Sequence, residues 1–174
     1  MKKSIIFLMV SIPVILILNS CKKEKVSDKQ LILSGKVVSN SECKSLKSAR
    51  IMSDTPDTIS CVNYSYNAKN NKLSMDHINA GFNCCYDSLY CTITQSGDTI
   101  IVQEFEAKSQ CDCDCLFDLS IELNGVDAKQ YQIKFIEPYC GDQEKLDFGI
   151  DLASSPEGSF SVTRKEYPWG LKLF

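Results

Sequence analysis

The chain of 174 residues has no surplus of positive charge and no apolar run long enough to cross a membrane. It contains a single histidine. Its 19 lysines and arginines stand against 22 aspartates and glutamates, which gives a net charge of −3. Because nucleic acid is bound through a basic face, this balance argues against a nucleic-acid partner. The apolar run at residues 5–18 is shorter than the ~20 residues of a membrane-spanning helix.

Motifs of the common catalytic sites are absent as well. The sequence has no Gly-x-Ser-x-Gly, no His-Glu-x-x-His and no glycine-rich phosphate loop. A histidine-dependent site would have to use His77, which is in step with Leu73 and Met75 and is predicted at a strand end or as a loop cap. We therefore predict that the protein is not an enzyme and needs no cofactor or metal.

The amino terminus carries the parts of an export signal. Met1-Lys2-Lys3, the apolar run and Leu18-Asn19-Ser20-Cys21 follow one another in the expected order. The cysteine directly after a small residue resembles the lipobox of bacterial lipoproteins, and the segment is similar to those of exported Bacteroidota lipoproteins. This resemblance implies cleavage before Cys21, its acylation (palmitate), and a place in the cell envelope, at the outer membrane, facing the periplasm or the surface. The alternative is a plain signal peptide, with Cys21 as one more disulfide cysteine.

Three segments result from this signal. Residues 1–20 form the lipoprotein signal peptide, residues 21–30 a charged flexible tether, and residues 31–174 a single domain. Loss of Lys2 and Lys3 changes the net charge from −3 to −5. Membrane attachment is therefore expected through the acyl chains and not through charge.

Ten cysteines are a high number for one domain. Exported proteins meet oxidising conditions, in which such cysteines form bridges. Since nine cysteines remain after Cys21, we expect four bridges and at least one further cysteine that stays free, pairs between molecules or binds a ligand. The disulfide candidates are Cys43, Cys61, Cys84, Cys85, Cys91, Cys111, Cys113, Cys115 and Cys140.

From residue 31 onward, β-branched and aromatic residues alternate with polar ones, and turn residues separate the segments. Strands are predicted over residues 31–39, 58–67, 73–78, 88–95, 99–107, 111–123, 131–137, 145–152 and 159–163. The alternation is clearest between residues 111 and 123, where one face reads as core and the other as solvated. The expected fold is an all-β, antiparallel β-sandwich of eight or nine strands, with a partly closed barrel as the alternative.

One turn favours the sandwich. The sequence Gly125-Val126-Asp127-Ala128-Lys129-Gln130-Tyr131, followed by alternating Ile133 and Phe135, resembles the corner before a late strand of immunoglobulin-like or fibronectin-like domains. The resemblance implies that the tyrosine hydroxyl bonds back to the connecting loop.

Cys111, Cys113 and Cys115 could in principle hold a metal, with Cys84, Cys85 or His77 completing the site. Same-face neighbours on a strand lie ~7 Å apart, which is too far for shared tetrahedral zinc or for bridging one another. We therefore expect each to bridge a neighbouring segment.

Two further clusters have simple structural interpretations. The adjacent Cys84 and Cys85, after the predicted loop 79–83, are expected to bond in different directions. Asp112, Asp114 and Asp118 lack the turn glycine and terminal glutamate of a calcium loop, and a solvated strand face explains them better.

Three tripeptides resemble the Asp-(Ser/Thr)-aliphatic sequon for O-glycosylation in exported Bacteroidota proteins: Asp57-Thr58-Ile59, Asp87-Ser88-Leu89 and Asp98-Thr99-Ile100. All lie at predicted turn-to-strand junctions, where a bulky glycan is tolerated. The candidate acceptors are Thr58, Ser88 and Thr99.

The function expected from these observations is an acyl-anchored envelope lipoprotein that serves as a binding or structural module. Its ligand, a glycan or a protein, is not named by any motif; tyrosines and Trp169 could stack on sugar rings or pack in the core. The alternative is a thiol-dependent metal-binding or redox protein of the envelope.

Overall fold

The computed structural model describes residues 33–44, 55–108 and 111–166. Within these ranges the chain forms nine strands, and it contains no helix long and apolar enough to cross a membrane. The predicted signal peptide, Cys21 and the tether lie outside the described residues. The strands are β1 (Ser34–Asn40), β2 (Ile59–Asn67), β3 (Lys72–Asn83), β4 (Ser88–Ser96), β5 (Thr99–Ala107), β6 (Asp114–Asn124), β7 (Gln130–Ile136), β8 (Asp147–Asp151) and β9 (Glu157–Thr163).

The strands form two sheets. The five-stranded sheet has the order β1-β6-β3-β2-β9, the four-stranded sheet has the order β4-β5-β7-β8, and their apolar side chains share one buried cluster. This arrangement confirms the predicted all-β sandwich. One pair corrects the prediction that the sheets are antiparallel: β5 and β7 are parallel. The chain between them crosses to the other sheet as β6, and such a crossover is what parallel neighbours require.

The alternation in β6 places its odd-numbered side chains in the core, as predicted. The strand begins at Asp114 and not at residue 111, because its ladder with β3 ends at the pair Asn83↔Asp114. The buried odd-numbered residues are Cys115, Phe117, Leu119, Ile121 and Leu123, and the even-numbered Leu116 is buried as well.

Strand β3 continues through residues 79–83, so the prediction of a loop there is wrong. The β3–β6 register shifts between His77 and Ala80, and Asn79 has a φ of 60° at the shift. Asparagine tolerates this left-handed conformation, which allows a bulge instead of a strand end. The Asn79 side chain donates to the carbonyl oxygens of Pro56 and Ile59, at 3.1 and 2.7 Å.

The corner before β7 has the hydrogen bond that the sequence predicts. The Tyr131 hydroxyl accepts a hydrogen bond from the backbone N–H of Asp127 at 3.2 Å. The Tyr66 hydroxyl donates to the Val126 carbonyl at 2.8 Å. Two buried tyrosines therefore hold this connection against the five-stranded and four-stranded sheets.

Candidate functional site

Six of the candidate cysteines form three bridges among the described residues. Two of these, Cys84–Cys113 and Cys85–Cys111, join the β3–β4 connection to the segment before β6, with Cα atoms 5.6 and 5.7 Å apart. We call this pair of bridges the double bridge. The adjacent cysteines bond to different partners, as predicted, although both partners lie on one segment.

The third bridge, Cys43–Cys115, closes the longest loop. It joins the chain after β1 to the start of β6 across a sequence separation of 72, with Cα atoms 5.6 Å apart. In the chain-entropy model, a bridge that closes a loop of this length stabilises the folded protein by about 4 kcal/mol. Together the three bridges hold one end of β6 to the segments around it.

The remaining candidates correct the expectation of four bridges. Cys61, Cys91 and Cys140 are unbridged and buried. Burial raises the pKa of the Cys61 thiol, and burial together with the Glu104 carboxylate raises that of Cys91 to about 11. These two thiols stay protonated at neutral pH and are poor nucleophiles.

A group of buried polar side chains lies between the sheets. We call Ser60, His77, Glu104, Glu137 and Arg164 the inter-sheet cluster. Ser60 and His77 come from β2 and β3 of the five-stranded sheet, and Glu104 comes from β5 of the four-stranded sheet. Glu137 follows β7, and Arg164 follows β9. All five are buried, so each charge depends on its neighbours for stabilisation.

His77 lies at the centre of this cluster. Its Nδ1 is 2.8 Å from Glu104 Oε1, and its Nε2 is 2.9 Å from Ser60 Oγ and 3.7 Å from Glu137 Oε1. The predicted strand-end or loop-cap role of His77 is therefore wrong. The residue lies within β3 and faces inward, in step with Leu73 and Met75, and it bonds across the core.

Arg164 neutralises the second carboxylate. Its Nη2 donates to both Glu137 oxygens at 2.8 Å, and its Nη1 donates to the Glu144 carbonyl at 2.7 Å and to Cys140 Sγ at 2.9 Å. The cluster therefore contains one ion pair at Glu137 and one hydrogen-bonded acid–base pair at Glu104, and each joins one sheet to the other.

The pKa shifts keep a proton within the His77–Glu104 pair. Burial disfavours the imidazolium of His77, but the Glu104 and Glu137 carboxylates outweigh this, and its pKa is raised. Burial raises the pKa of Glu104, against the opposing effect of His77. Glu104 Oε2 is buried without a hydrogen-bond partner among the described residues, which agrees with this direction.

The order Ser60–His77–Glu104 repeats the hydrogen-bond order of a Ser-His-acid catalytic triad. Unlike the serine of a working triad, however, Ser60 cannot be reached by a substrate from solvent, because Ser60 and His77 are each 0 % exposed. A substrate carbonyl could reach Ser60 Oγ only if the two sheets separated. What this arrangement can do in the closed sandwich is fix the position of one sheet against the other, and the prediction that the protein is not an enzyme stays a prediction.

Sequence reasoning missed the inter-sheet cluster, although one signal was present. Glu104 follows Ile100 and Val102 at a spacing of two, which places it on the inward face of β5. His77 follows Leu73 and Met75 in the same way on β3. Two inward-facing ionisable residues of opposite type indicate a buried pair.

The three sequon residues lie where the sequence predicts. Thr58 and Ser88 are exposed, Thr99 is partly exposed, and they stand just before or at the starts of β2, β4 and β5. Glycosylation of Thr58, Ser88 and Thr99 stays a prediction.

The aspartates near β6 differ in their surroundings. Asp112 is exposed, but Asp118 forms an ion pair with Lys44 and accepts a hydrogen bond from the Asn79 N–H. Asp118 lies on the outward face of β6 with its side chain 32 % exposed, which agrees with the solvated-face interpretation, and these partners hold it there. Across the described ranges no group of three or more histidine, cysteine, aspartate or glutamate residues is placed to hold a metal ion.

The tyrosines divide between core and surface. Tyr90 is 45 % exposed and stacks on Phe105 with ring centroids 5.2 Å apart, whereas the Tyr139 hydroxyl donates to Glu106 at 2.6 Å. Tyr167 and Trp169 lie outside the described residues.

No protein-family model, no curated protein sequence and no solved structure matches this chain.

Proposed function

We propose that this protein is an acyl-anchored lipoprotein of a bacterial cell envelope, at the outer membrane, and that its domain is a disulfide-bridged binding or structural module. The observation that carries the proposal is the combination of a segment that resembles a lipobox, ending at Cys21, with three bridges between six cysteines of the domain. Disulfides form and persist in the oxidising compartments to which such a signal directs a protein.

The surroundings of the cysteines support a structural role for the bridges. They join segments near one end of β6, and the three unbridged thiols are buried. Bridges of this kind stabilise a domain in an oxidising compartment. Anchoring through two or more acyl chains would keep it at the membrane without any basic surface.

Intact-mass spectrometry of the protein extracted from its native membrane tests this proposal. We expect acyl chains on Cys21, a gain of six hydrogen atoms on reduction, and three thiols that alkylate only after denaturation. A Cys21→Ser variant is the matched control, which should lose the acyl mass and leave the membrane fraction. An unacylated Cys21 in the wild type would overturn the anchored function.

The alternative is a thiol-dependent metal-binding or redox protein. It would use Cys84, Cys85, Cys111, Cys113 and Cys115, and all five are in bridges. The same experiment separates the two functions. If several of these thiols alkylate without prior reduction in the extracted protein, the metal or redox function replaces the bridged module.

A further inference from the structure

A groove of about 500 Å³ lies on the outer face of the four-stranded sheet. It is open to solvent, and its lining includes no residue of the inter-sheet cluster or of the double bridge. The side chains and backbone that bound it come from the start of β5, the start of β7 and the end of β8. Its main lining residues are Asp98, Thr99, Gln130, Gln132, Gly149 and Asp151. We call it the outer groove.

Gly149 keeps the outer groove open at the edge strand. A Cβ atom at this position would meet Gln132 Oε1 at 3.7 Å and the Tyr131 carbonyl oxygen at 4.0 Å, which are ordinary contacts. Neither packing nor a left-handed backbone therefore requires glycine here, although glycine weakens a strand. Close approach by a ligand is one of the reasons for which a strand interior keeps such a residue.

Gln132 forms the middle of the groove floor. In the sheet register it stands between Thr99 of β5 and Gly149 of β8. A hydroxyl, a carboxamide and an open position therefore follow one another across the sheet. The Gln132 carboxamide donates one N–H to Asp147 and keeps its other N–H and its carbonyl oxygen for a ligand, and the hydroxyl both donates and accepts.

Carboxylates stand at both sides of this row. Asp151 accepts hydrogen bonds from the Gln130 side chain at 3.0 Å and from the Ala153 and Ser154 N–H groups at 3.1 and 3.2 Å. Asp98 forms an ion pair with Lys129 at 2.6 Å. Each carboxylate is held in place by these partners and keeps lone pairs that can accept further hydrogen bonds.

The charge around the groove is close to balanced. Lys129 pairs with Asp98, and Lys134 pairs with Asp147 at 2.8 Å, which leaves Asp151 as the unbalanced carboxylate. This pattern does not favour a strongly charged ligand. Fixed carboxylates and carboxamides side by side instead complement a neutral ligand with several neighbouring hydroxyl groups, in the way that an acidic side chain accepts from ribose hydroxyls in dinucleotide sites.

We propose that the outer groove binds a neutral saccharide, with Asp98, Gln132 and Asp151 as the hydrogen-bonding residues and Gly149 as the open position for the ring. The groove is shallow and open, so a ligand would lie on the sheet with one side exposed to solvent. This inference rests on the proposed function as a binding module and names its ligand class. The saccharide has two sources: a separate envelope glycan, or a glycan attached to Thr99, whose sequon Asp98-Thr99-Ile100 lies in the groove.

The test compares two leucine variants of the full acylated protein, made in a host without O-glycosylation. The probes are immobilised neutral oligosaccharides of hexose, N-acetylhexosamine and deoxyhexose. Immobilised tri-lysine tests the competing possibility, a cationic ligand. Gly149→Leu fills the groove and should weaken saccharide binding at least tenfold. Ser161→Leu is the matched control on an exposed strand position of β9 and should bind like the wild type.

Three outcomes would overturn the proposal: no oligosaccharide retained by the wild type, retention of tri-lysine alone, or equal binding by the two leucine variants. The two sources are separated with protein from the native membrane. If its groove is filled by its own glycan, it should not bind the probes, whereas the same chain from the host without O-glycosylation should; if the ligand is separate, both preparations should bind. Loss of acylation from Cys21 would remove the anchored function and leave each of these results unchanged.

Discussion

Replacement of His77 by leucine tests the role of the inter-sheet cluster. The variant removes the hydrogen-bond partner of both Glu104 and Ser60, whose polar atoms lie 2.8 and 2.9 Å from the imidazole, and it leaves both residues in the core. Removing one partner of a buried charge pair costs about 3–5 kcal/mol, and an unsatisfied hydroxyl adds about 1 kcal/mol. We therefore expect His77→Leu to lose about 4 kcal/mol or more of unfolding free energy.

The second half of the test removes the other partner too. Leucine at both His77 and Glu104 takes the uncompensated charge out of the core, and replacing a buried ion pair by apolar residues is often neutral. The double variant should therefore be more stable than His77→Leu alone. A double-mutant cycle of His77→Leu, Glu104→Leu and the double variant then gives a coupling free energy. Its sign should be opposite to that of the stability changes of the two single variants.

Urea unfolding followed by far-UV circular dichroism, with the disulfides intact, measures these free energies. Ser161→Leu shows the effect of a leucine on an exposed strand position and should stay within about 0.5 kcal/mol of the wild type. If His77→Leu lost less than about 1 kcal/mol, or if the two single losses simply added, the inter-sheet cluster would not be the electrostatic link described here.

Three other predictions follow. His77 has a raised folded-state pKa, so its contribution to stability is complete below its unfolded pKa of about 6.5 and is lost as pH rises through the folded value; the urea midpoint should fall across this window in the wild type and not in the double variant His77→Gln with Glu104→Gln, which also removes the raised pKa of Glu104. Replacing Cys43 and Cys115 together by alanine should cost about 4 kcal/mol in the same assay, from the loss of loop closure, and a cost below about 1 kcal/mol would contradict this. Ser60 should not react with a fluorophosphonate probe in the folded protein, because it is 0 % exposed; labelling of Ser60 detected by peptide mass spectrometry would indicate a serine hydrolase.

Much of the fold follows from the sequence, because a strand that is buried on one face has a readable period of two. The residues of β5 and β6 show this pattern, and both strands lie close to the predicted bounds. The corner at Tyr131 was predictable for a different reason, since its hydrogen bond is local and spans four residues. Features that depend on one strand and its own turns can therefore be predicted from a single sequence.

Features that depend on which strands meet could not be predicted in the same way. The partner of Cys115 is 72 residues away and is decided by β1 lying beside β6. Strand β3 continues past its predicted end because Asn79 takes a positive φ, and a bulge cannot be distinguished from a turn by composition alone. To predict the inter-sheet cluster, one has to know that each residue faces inward on its strand and also how the two sheets stack on each other.

The position of Arg164 along the chain has a consequence for the order of folding. Every other member of the inter-sheet cluster precedes it, so a chain that emerges amino terminus first contains Glu137 before it contains the guanidinium that neutralises it. Until β9 arrives, closing the sandwich would bury an uncompensated carboxylate, and the cost of doing so delays compaction. A chain truncated after Thr163 should therefore be digested by protease faster than one truncated after Glu166.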